Sequence, residues 1–385
     1  MSPGPARSRR GIRYIAPYDL EGYSTAARRN LIGLRNAGVP FTWTPMISGF
    51  DWHLGYQPFT GRYIGDPELD PFCNLPIDYD TVIVHMVPEF LVRWRSQEPN
   101  RMLVAHTVWE TDRLPHHWVV PLEQADHILV PCMWNKAVFE QRGLTAGVSV
   151  FPHIAVAPEP IQGPPILDIT DDHFVFYSIE VWSARKALWN TLTAYLDTFT
   201  ERDLVTLVLK TTPHTMCCRG LFGGFARTQD AVDRILRRYH HSARVKLLTG
   251  HLSHQDIRRL HARGNCYVSL SHGEGWNLGA FDAAAHGKPV IITGFGGQKD
   301  YLPRDTAYFV DYRLTPVKDE LGKPSFAEDQ HWAEPSIAHA SALMREAVSN
   351  RADAARRGAE LRTYVLARFT EQAVIGGLLD TLDAL

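Results

Sequence analysis

Residues 271–291 read SHGEGWNLGAFDAAAHGKPVI. The apolar run NCYVSLS ends as this stretch begins, and KPVIIT starts before it closes. Between the two runs lie a glycine-rich loop and a small-residue segment with helical spacing. Strand, loop, helix, strand makes a βαβ unit, and such units build parallel sheets covered on both faces. The loop then lies beyond the carboxyl end of its strand, where open parallel sheets bind ligands. Gly273, Gly275 and Gly279 are expected to let the backbone approach a ligand or take positive φ. A helix beginning near Gly279 would offer free N–H groups and partial positive charge to an anion such as a diphosphate. Glu274 in the loop suits sugar hydroxyls. Asp282, early in the helix, suits a ribose diol. Taken one at a time, these residues also fit a plain glycine turn and an acid in a first helical turn.

Outward from this stretch the same alternation recurs. In the second half, HFVFYSI, LVTLVLK and RVKLLTG read as strands. ARKALWNTLTAYLDTF, TQDAVDRILRRYH and SHQDIRRLHARG read as helices, the last with Ser253 and Asp256 as a capping box. From about Ser336 onward the pattern is mostly helical. In the first half, strands are expected at 12–16, 81–87, 102–107, 127–131 and 148–151, and a helix at 134–142 ended by Gly143. STAARRNLIGLRNAG is a helix with Ser24 as N-cap, Ala27, Leu31 and Leu34 on one face, and Gly38 at its end. PHIAVAPEPIQGPP, residues 152–165, holds five prolines and no helical pattern, and reads as a linker. The expected organisation is α/β, with two Rossmann-like, doubly wound domains facing a central cleft. These are an N-terminal domain at 1–155, a linker at 156–165, a second domain at 166–365, and a helix at 366–385 that can cross back to the first domain.

Composition narrows the function classes. The chain has 385 residues, 45% hydrophobic and 21% charged, with a formal net charge of −2. That balance gives no reason to expect nucleic acid as a partner. No apolar run reaches the roughly 18 residues that span a bilayer, and the basic N-terminus carries no apolar stretch. A cytoplasmic location is expected, with at most a peripheral contact at the inner face of the membrane through Arg7, Arg9 and Arg10. Cys73, Cys132, Cys217, Cys218 and Cys266 read as reduced thiols, and His214 with Cys217 and Cys218 lacks a fourth metal ligand.

GEGWNLGAFDAAAHGKPVI resembles the EX7E signature of retaining glycosyltransferases of family 4, which have the GT-B fold. That signature reads E-G-F-G, a second acid after seven intervening residues, then A-x-x-x-G-x-P-V-I. Asp282 replaces the usual second Glu and reaches about one methylene less. The resemblance covers the second half and extends loosely to YDLEGYSTAARRNLIGLRNAGV. It implies transfer of a hexose-like sugar, with retention, from a UDP- or GDP-linked donor to a saccharide, lipid-linked saccharide or small-metabolite acceptor. It implies no cofactor and no metal.

The resemblance also assigns roles. SARKALWNTLTAY is similar to the family's R-K-G segment, which places Lys186 and Arg185 on the donor diphosphate, where a fixed cation stabilises the leaving group. Many relatives carry a further Arg upstream, and here SIEVWS puts Glu180 or Val181 in that place. Glu274 and His106 complete the expected catalytic set. Gly275, Trp276, Asn277, Leu278 and Asp282 are expected at the donor, with Lys210 ending a strand, His251 and Leu252 near the base, and Gly22 and Gly297 in glycine turns. Gly296 is expected to serve the backbone beside Gly297. Tyr23, Ser24, Trp109 and Glu110 are expected near the acceptor, and Glu89 one strand earlier. The aromatics Trp43, Phe50, Trp52, Tyr56, Trp94 and Trp118 are either core or stacking surfaces. Two other readings stay open: a nucleotide-sugar epimerase or phosphorylase on the same fold, and a non-catalytic nucleotide-sugar binding protein.

Overall fold

The computed structural model describes residues 11–19, 22–49, 55–161, 163–219, 224–318, 325–327 and 329–385, apart from the side chains of Cys218 and Arg219. Arg7, Arg9, Arg10, Phe50, Trp52 and the Cys218 side chain therefore lie outside the described residues. The chain divides into two compact units, one holding residues up to Trp109, 114–154 and 368–385, the other 110–113 and 155–367.

The first unit runs β1 (Ile12–Pro17), α1 (Gly22–Asn36), β2 (Phe41–Ser48), β3 (Tyr56–Pro58), β4 (Thr81–His85), α2 (Leu91–Gln97), β5 (Met102–His106), α3 (Val119–Leu122), β6 (His127–Val130), α4 (Met133–Glu140) and β7 (Gly147–Val150). Its sheet has the order β3-β2-β1-β4-β5-β6-β7. All neighbours are parallel except β3 on β2. Strands covered on both faces read as unbroken apolar runs. TVIVH in β4 is buried at every position. β2 was not among the expected strands. FTWTPMIS carries Pro45 and two threonines, a weak strand signal, yet its first six residues are buried. The helix α1 ends as expected at Gly38, with φ +68°. The Val39 amide bonds the Leu34 carbonyl and the Gly38 amide that of Arg35, a Schellman motif. Ser24 does not cap α1. The helix starts at Gly22, and the Ser24 hydroxyl instead donates to the Pro17 carbonyl at 2.7 Å and accepts from the Asp19 amide. It ties the helix to the end of β1.

The second unit continues with β8 (Phe174–Ile179), α5 (Leu188–Thr198), β9 (Val205–Lys210), β10 (His214–Arg219), β11 (Phe225–Arg227), α6 (Thr228–Leu236), β12 (Arg244–Leu248), α7 (His254–Arg263), β13 (Cys266–Ser269), α8 (Leu278–Ala285), β14 (Val290–Thr293), β15 (Tyr308–Val310), β16 (Tyr312–Pro316), β17 (His331–Pro335), α9 (Ile337–Ser349) and α10 (Arg351–Arg368). Its six-stranded parallel sheet has the order β12-β9-β8-β13-β14-β15, and β10–β11 and β16–β17 are separate antiparallel hairpins. The Ser253–Asp256 capping box forms on α7. Among the described residues of 152–173 there is no helix or strand. The last helix, α11 (Glu371–Asp383), belongs to the first unit. It packs on α1 so closely that a Cβ at Gly33 would lie 2.7 Å from Ile375 Cγ1.

Two expected boundaries change. The helix expected from Ala184 starts only at Leu188, because Ala187 takes the left-handed conformation (φ 42°), which an Ala adopts only at some cost in energy. Residues 110–113 join the second unit: Thr111 bonds Gln330 at 2.8 Å, and Asp112 approaches His331 at 3.1 Å. Sequence pattern carried no signal for contacts that far along the chain. Among the described residues, no helix is long and apolar enough to cross a membrane. Cys73, Cys132, Cys217 and Cys266 are buried thiols.

Candidate active site

In the second unit the neighbouring strands β9, β8, β13 and β14 all point the same way. Their carboxyl ends bring four loops together: Lys210 and beyond, 180–187, 270–277 and 294–297. At the centre is Glu274, only 3% exposed. Its two carboxylate oxygens lie 2.7 and 2.8 Å from Lys186 Nζ. Arg185 Nη1 lies 3.3 Å from Glu274 Oε2 and donates to the Gly273 carbonyl at 2.9 Å, while its Nη2 pairs with Glu110 at 3.3 Å. A buried carboxylate is stable only when paired and hydrogen-bonded, and two cations meet that need here. Burial opposes the charge of Arg185, but the carboxylates of Glu110, Glu274 and Glu180 outweigh it and raise its pKa. The motif placed these cations at the start of a helix. They stand instead in the turn before α5, fixed by the left-handed Ala187, whose amide bonds the Ser183 carbonyl at 2.9 Å.

The loop around Glu274 is closely packed. Gly273 and Gly279 do not have positive φ. They are crowded by protein: a Cβ at Gly273 would lie 2.1 Å from the Glu110 carbonyl oxygen, and one at Gly279 would lie 2.4 Å from the Tyr267 hydroxyl. The left-handed residue of this loop is Asn277 (φ 68°). It is the N-cap of α8, its Oδ1 accepting from the Ala280 amide at 3.0 Å. Asn is both a favoured N-cap and a residue that tolerates this conformation, so the signal was present in the sequence. The Glu274 carbonyl accepts from the Gly297 amide at 2.9 Å, and a Cβ at Gly296 would lie 2.3 Å from that same carbonyl. The later glycine loop thus holds the backbone of Glu274. The helix starts at Leu278, so Asp282 lies in its second turn, half-buried, and not in the first.

The remaining expected residues fall into three places. Trp276 is buried against Tyr301 at 4.8 Å and Phe281 at 5.2 Å, a core position. Lys210 ends β9, donates to the Thr211 carbonyl at 3.0 Å, and has its pKa lowered by burial. His251 is exposed and Leu252 half-buried in the loop between β12 and α7, at the same end of the sheet.

Gly22, Tyr23, Ser24, Trp109 and His106 belong to the first unit. His106 is 1% exposed and stacked on His85, with ring centroids 3.7 Å apart. The Tyr14 hydroxyl lies 2.9 Å from His85 Nδ1 and 3.4 Å from His106 Nδ1, and accepts from Asn30 at 3.0 Å. Burial holds both imidazoles well below the usual histidine pKa, as does His153. Tyr23 closes this cluster: its ring meets His85 at 5.4 Å and its hydroxyl lies 3.0 Å from Thr107 Oγ1. Trp109 is buried on Trp118, and its backbone is bonded by the Asn135 side chain. Glu89 accepts from Trp118 Nε1 at 2.9 Å.

Two residues near Glu274 had no role in the sequence reading. Glu180, 6% exposed, accepts at Oε1 from Ser269 (2.6 Å) and Asn277 (3.2 Å). Burial pushes its pKa up to about 7, opposed by Lys186 and aided by Glu274. His272 lies beside Trp332, with Nε2 3.1 Å from Glu334, and its amide donates to the Arg185 carbonyl at 2.8 Å. The bond to His272 holds the Glu334 carboxyl below the usual carboxylate range. The position of Glu180 was noted only as the place of an absent cation, and two partners of His272, Trp332 and Glu334, come from β17, which no periodicity predicted.

No protein-family model matches the chain. Over 106 residues it is 26% identical to one component of the human phosphatidylinositol N-acetylglucosaminyltransferase, a match spanning 28% of this chain and 22% of that protein. Among solved structures, sucrose-phosphate synthase from Thermosynechococcus elongatus superposes with a TM-score of 0.71 at 15% identity, covering 98% of this chain and all of that one. α,α-Trehalose 6-phosphate synthase from Burkholderia multivorans gives 0.66 at 14% identity, covering 98% and 99%. HepE of Anabaena, in complex with UDP-glucose, gives 0.63 at 14% identity, covering 98% and 100%. At these identities the likeness establishes the fold, which is of the GT-B class.

Proposed function

We propose that this chain is a retaining glycosyltransferase that moves a hexose-like sugar from a UDP- or GDP-linked donor to a saccharide or small-molecule acceptor. The observation that carries this reading is the buried Glu274 carboxylate, held by Lys186 and Arg185 at the carboxyl ends of a parallel sheet. The likeness to HepE with UDP-glucose and to two sugar-phosphate synthases supports the donor class.

In this reading the donor diphosphate takes over Lys186 and Arg185. As the bond from the anomeric carbon to the phosphate oxygen breaks, negative charge builds on the leaving diphosphate, and the two cations stabilise it. The acceptor hydroxyl forms the new bond on the same face, and its proton passes to the leaving phosphate oxygen. Glu274, released from its ion pairs, takes hydrogen bonds from the sugar hydroxyls. Asp282 in α8 serves the ribose. The side-chain cations supply the charge this step needs, so no metal or cofactor is called for. On the acceptor side Glu110, paired with Arg185, is the proposed contact, and peripheral membrane contact stays a proposal for lipid-linked acceptors.

A thermal-shift screen against UDP, GDP and their sugars, followed by assay of nucleotide release with and without acceptors, tests the reading. Stabilisation by one nucleotide and acceptor-dependent release of it are expected, with the anomeric configuration of the donor kept in the product. A Glu274→Ala variant with full transfer activity would sink the assignment. Tight donor binding without turnover on any acceptor would favour a binding protein.

A further inference from the structure

Where the resemblance leads one to expect a further cation, the chain carries a carboxylate. Glu180 directly follows β8, and its Oε1 collects Ser269 and Asn277. Asn277 also donates to Ser269 at 3.0 Å, so the three side chains close a triangle. The other oxygen, Oε2, is buried and has no hydrogen-bond partner. The triangle holds Asn277 in its left-handed conformation, and Asn277 caps α8.

We propose that Glu180 is a positioning residue of this site, one that fixes the amino end of α8 through Asn277 and sets the site's affinity for a nucleotide diphosphate by carrying or lacking a negative charge. The inference rests on the donor reading given above.

The charged and titratable groups around it support this. Lys186 and Arg185 face it from the turn before α5, Glu274 from the loop after β13, and Tyr267 from β13. With Glu274 ionised, a charged Glu180 would add a second buried carboxylate beside two cations that a diphosphate must also use. Like charges at short range in a poorly solvated site repel strongly. A neutral carboxyl still accepts at Oε1 from Ser269 and Asn277, so the cap survives protonation. Its folded-state pKa of about 7 places the change of charge near neutrality. An anion then prefers the protonated form. Affinity falls as pH rises through that range, and binding draws a proton onto Glu180.

The test uses the full chain, with UDP and GDP as probes. Isothermal titration is run from pH 5.5 to 8.5, in buffers of different ionisation enthalpy, on the wild type and on Glu180→Gln and Glu180→Ala. The nucleotide's own titration is common to all three proteins and cancels in their ratio. Glu180→Gln keeps the acceptor for Ser269 and Asn277 and is expected to bind ~10-fold more tightly than wild type at pH 8.5, with equal affinity at pH 5.5. Wild type should take up a fraction of a proton on binding near pH 7.5 beyond that seen for Glu180→Gln. Glu180→Ala loses the triangle and should bind weakly at every pH. Equal pH dependence and equal proton uptake in wild type and Glu180→Gln would overturn the inference and leave the donor reading intact. Failure of wild type to bind either nucleotide at any pH would overturn both.

Discussion

Each unit ends its parallel strands on a polar cluster, and the two clusters differ in charge. In the second unit, Glu274, Lys186, Arg185 and Glu110 are charged side chains paired at 2.7–3.3 Å. In the first, Tyr14, Asn30, His85 and His106 are bonded and stacked, and burial keeps the imidazoles neutral. A neutral cluster can satisfy itself and stay closed. A cluster with cations has partners that an incoming anion can replace. The first kind of cluster adds to the cohesion of its strands, and the second keeps charge in reserve at a strand end.

Breaking the charged cluster should have the largest effect. Lys186→Ala leaves a buried carboxylate with Arg185 alone and, in the reaction proposed above, removes a cation from the leaving group. Nucleotide release is expected to fall by roughly 10²–10³-fold in kcat/KM, measured with saturating acceptor. Gly273→Ala attacks its packing, since the new Cβ meets a main-chain oxygen. A loss of about 1–3 kcal/mol in unfolding free energy is expected. Gly250→Ala, with nothing within 4 Å of its Cβ, should be close to neutral in the same denaturation series.

Acid should act on the other cluster. The folded-state pKa values of His85 and His106 are depressed, so their contribution is present above the ordinary histidine value of about 6.5 and is lost as pH falls below it. Each histidine can remove at most about 1.4 kcal/mol per pH unit. Hydrogen-exchange protection, taken relative to the intrinsic exchange rate at each pH, should therefore fall between pH 7 and 5.5 more in β4 and β5 than in β8 and β13. Tyr14→Phe leaves His85 and Asn30 short of a partner and should cost about 1–2 kcal/mol in urea unfolding. Full stability in that variant would mean that the stacked imidazoles need no hydroxyl to hold them.

Much of the sheet framework was legible because buried parallel strands are unbroken apolar runs bounded by glycine and proline. What escaped has local causes. Pro45 and the threonines disguised β2. The left-handed Ala187 shortened α5, because an Ala gives no warning of positive φ. Ser24 has the residue type of a cap but spends its hydroxyl on Pro17. The charged centre was legible as well: Glu274, Lys186 and Arg185 were named from their motifs, and the structure brings them together. The conformation that joins them was not, because it depends on Asn277, on the crowding of Gly273 by Glu110, and on Glu180, a residue that no motif singles out.

The helix α11 lies at the far end of the chain from the unit it completes. The chain changes unit after Trp109, Arg113, Ile154 and Ala367. In synthesis from the amino end, the sheet of the first unit emerges early, but the face of α1 around Gly33 stays uncovered until Ile375 has been made. Residues 155–367 are all available by then. The unit that begins first is therefore finished last, and its exposed helix face must wait through the folding of an entire second sheet.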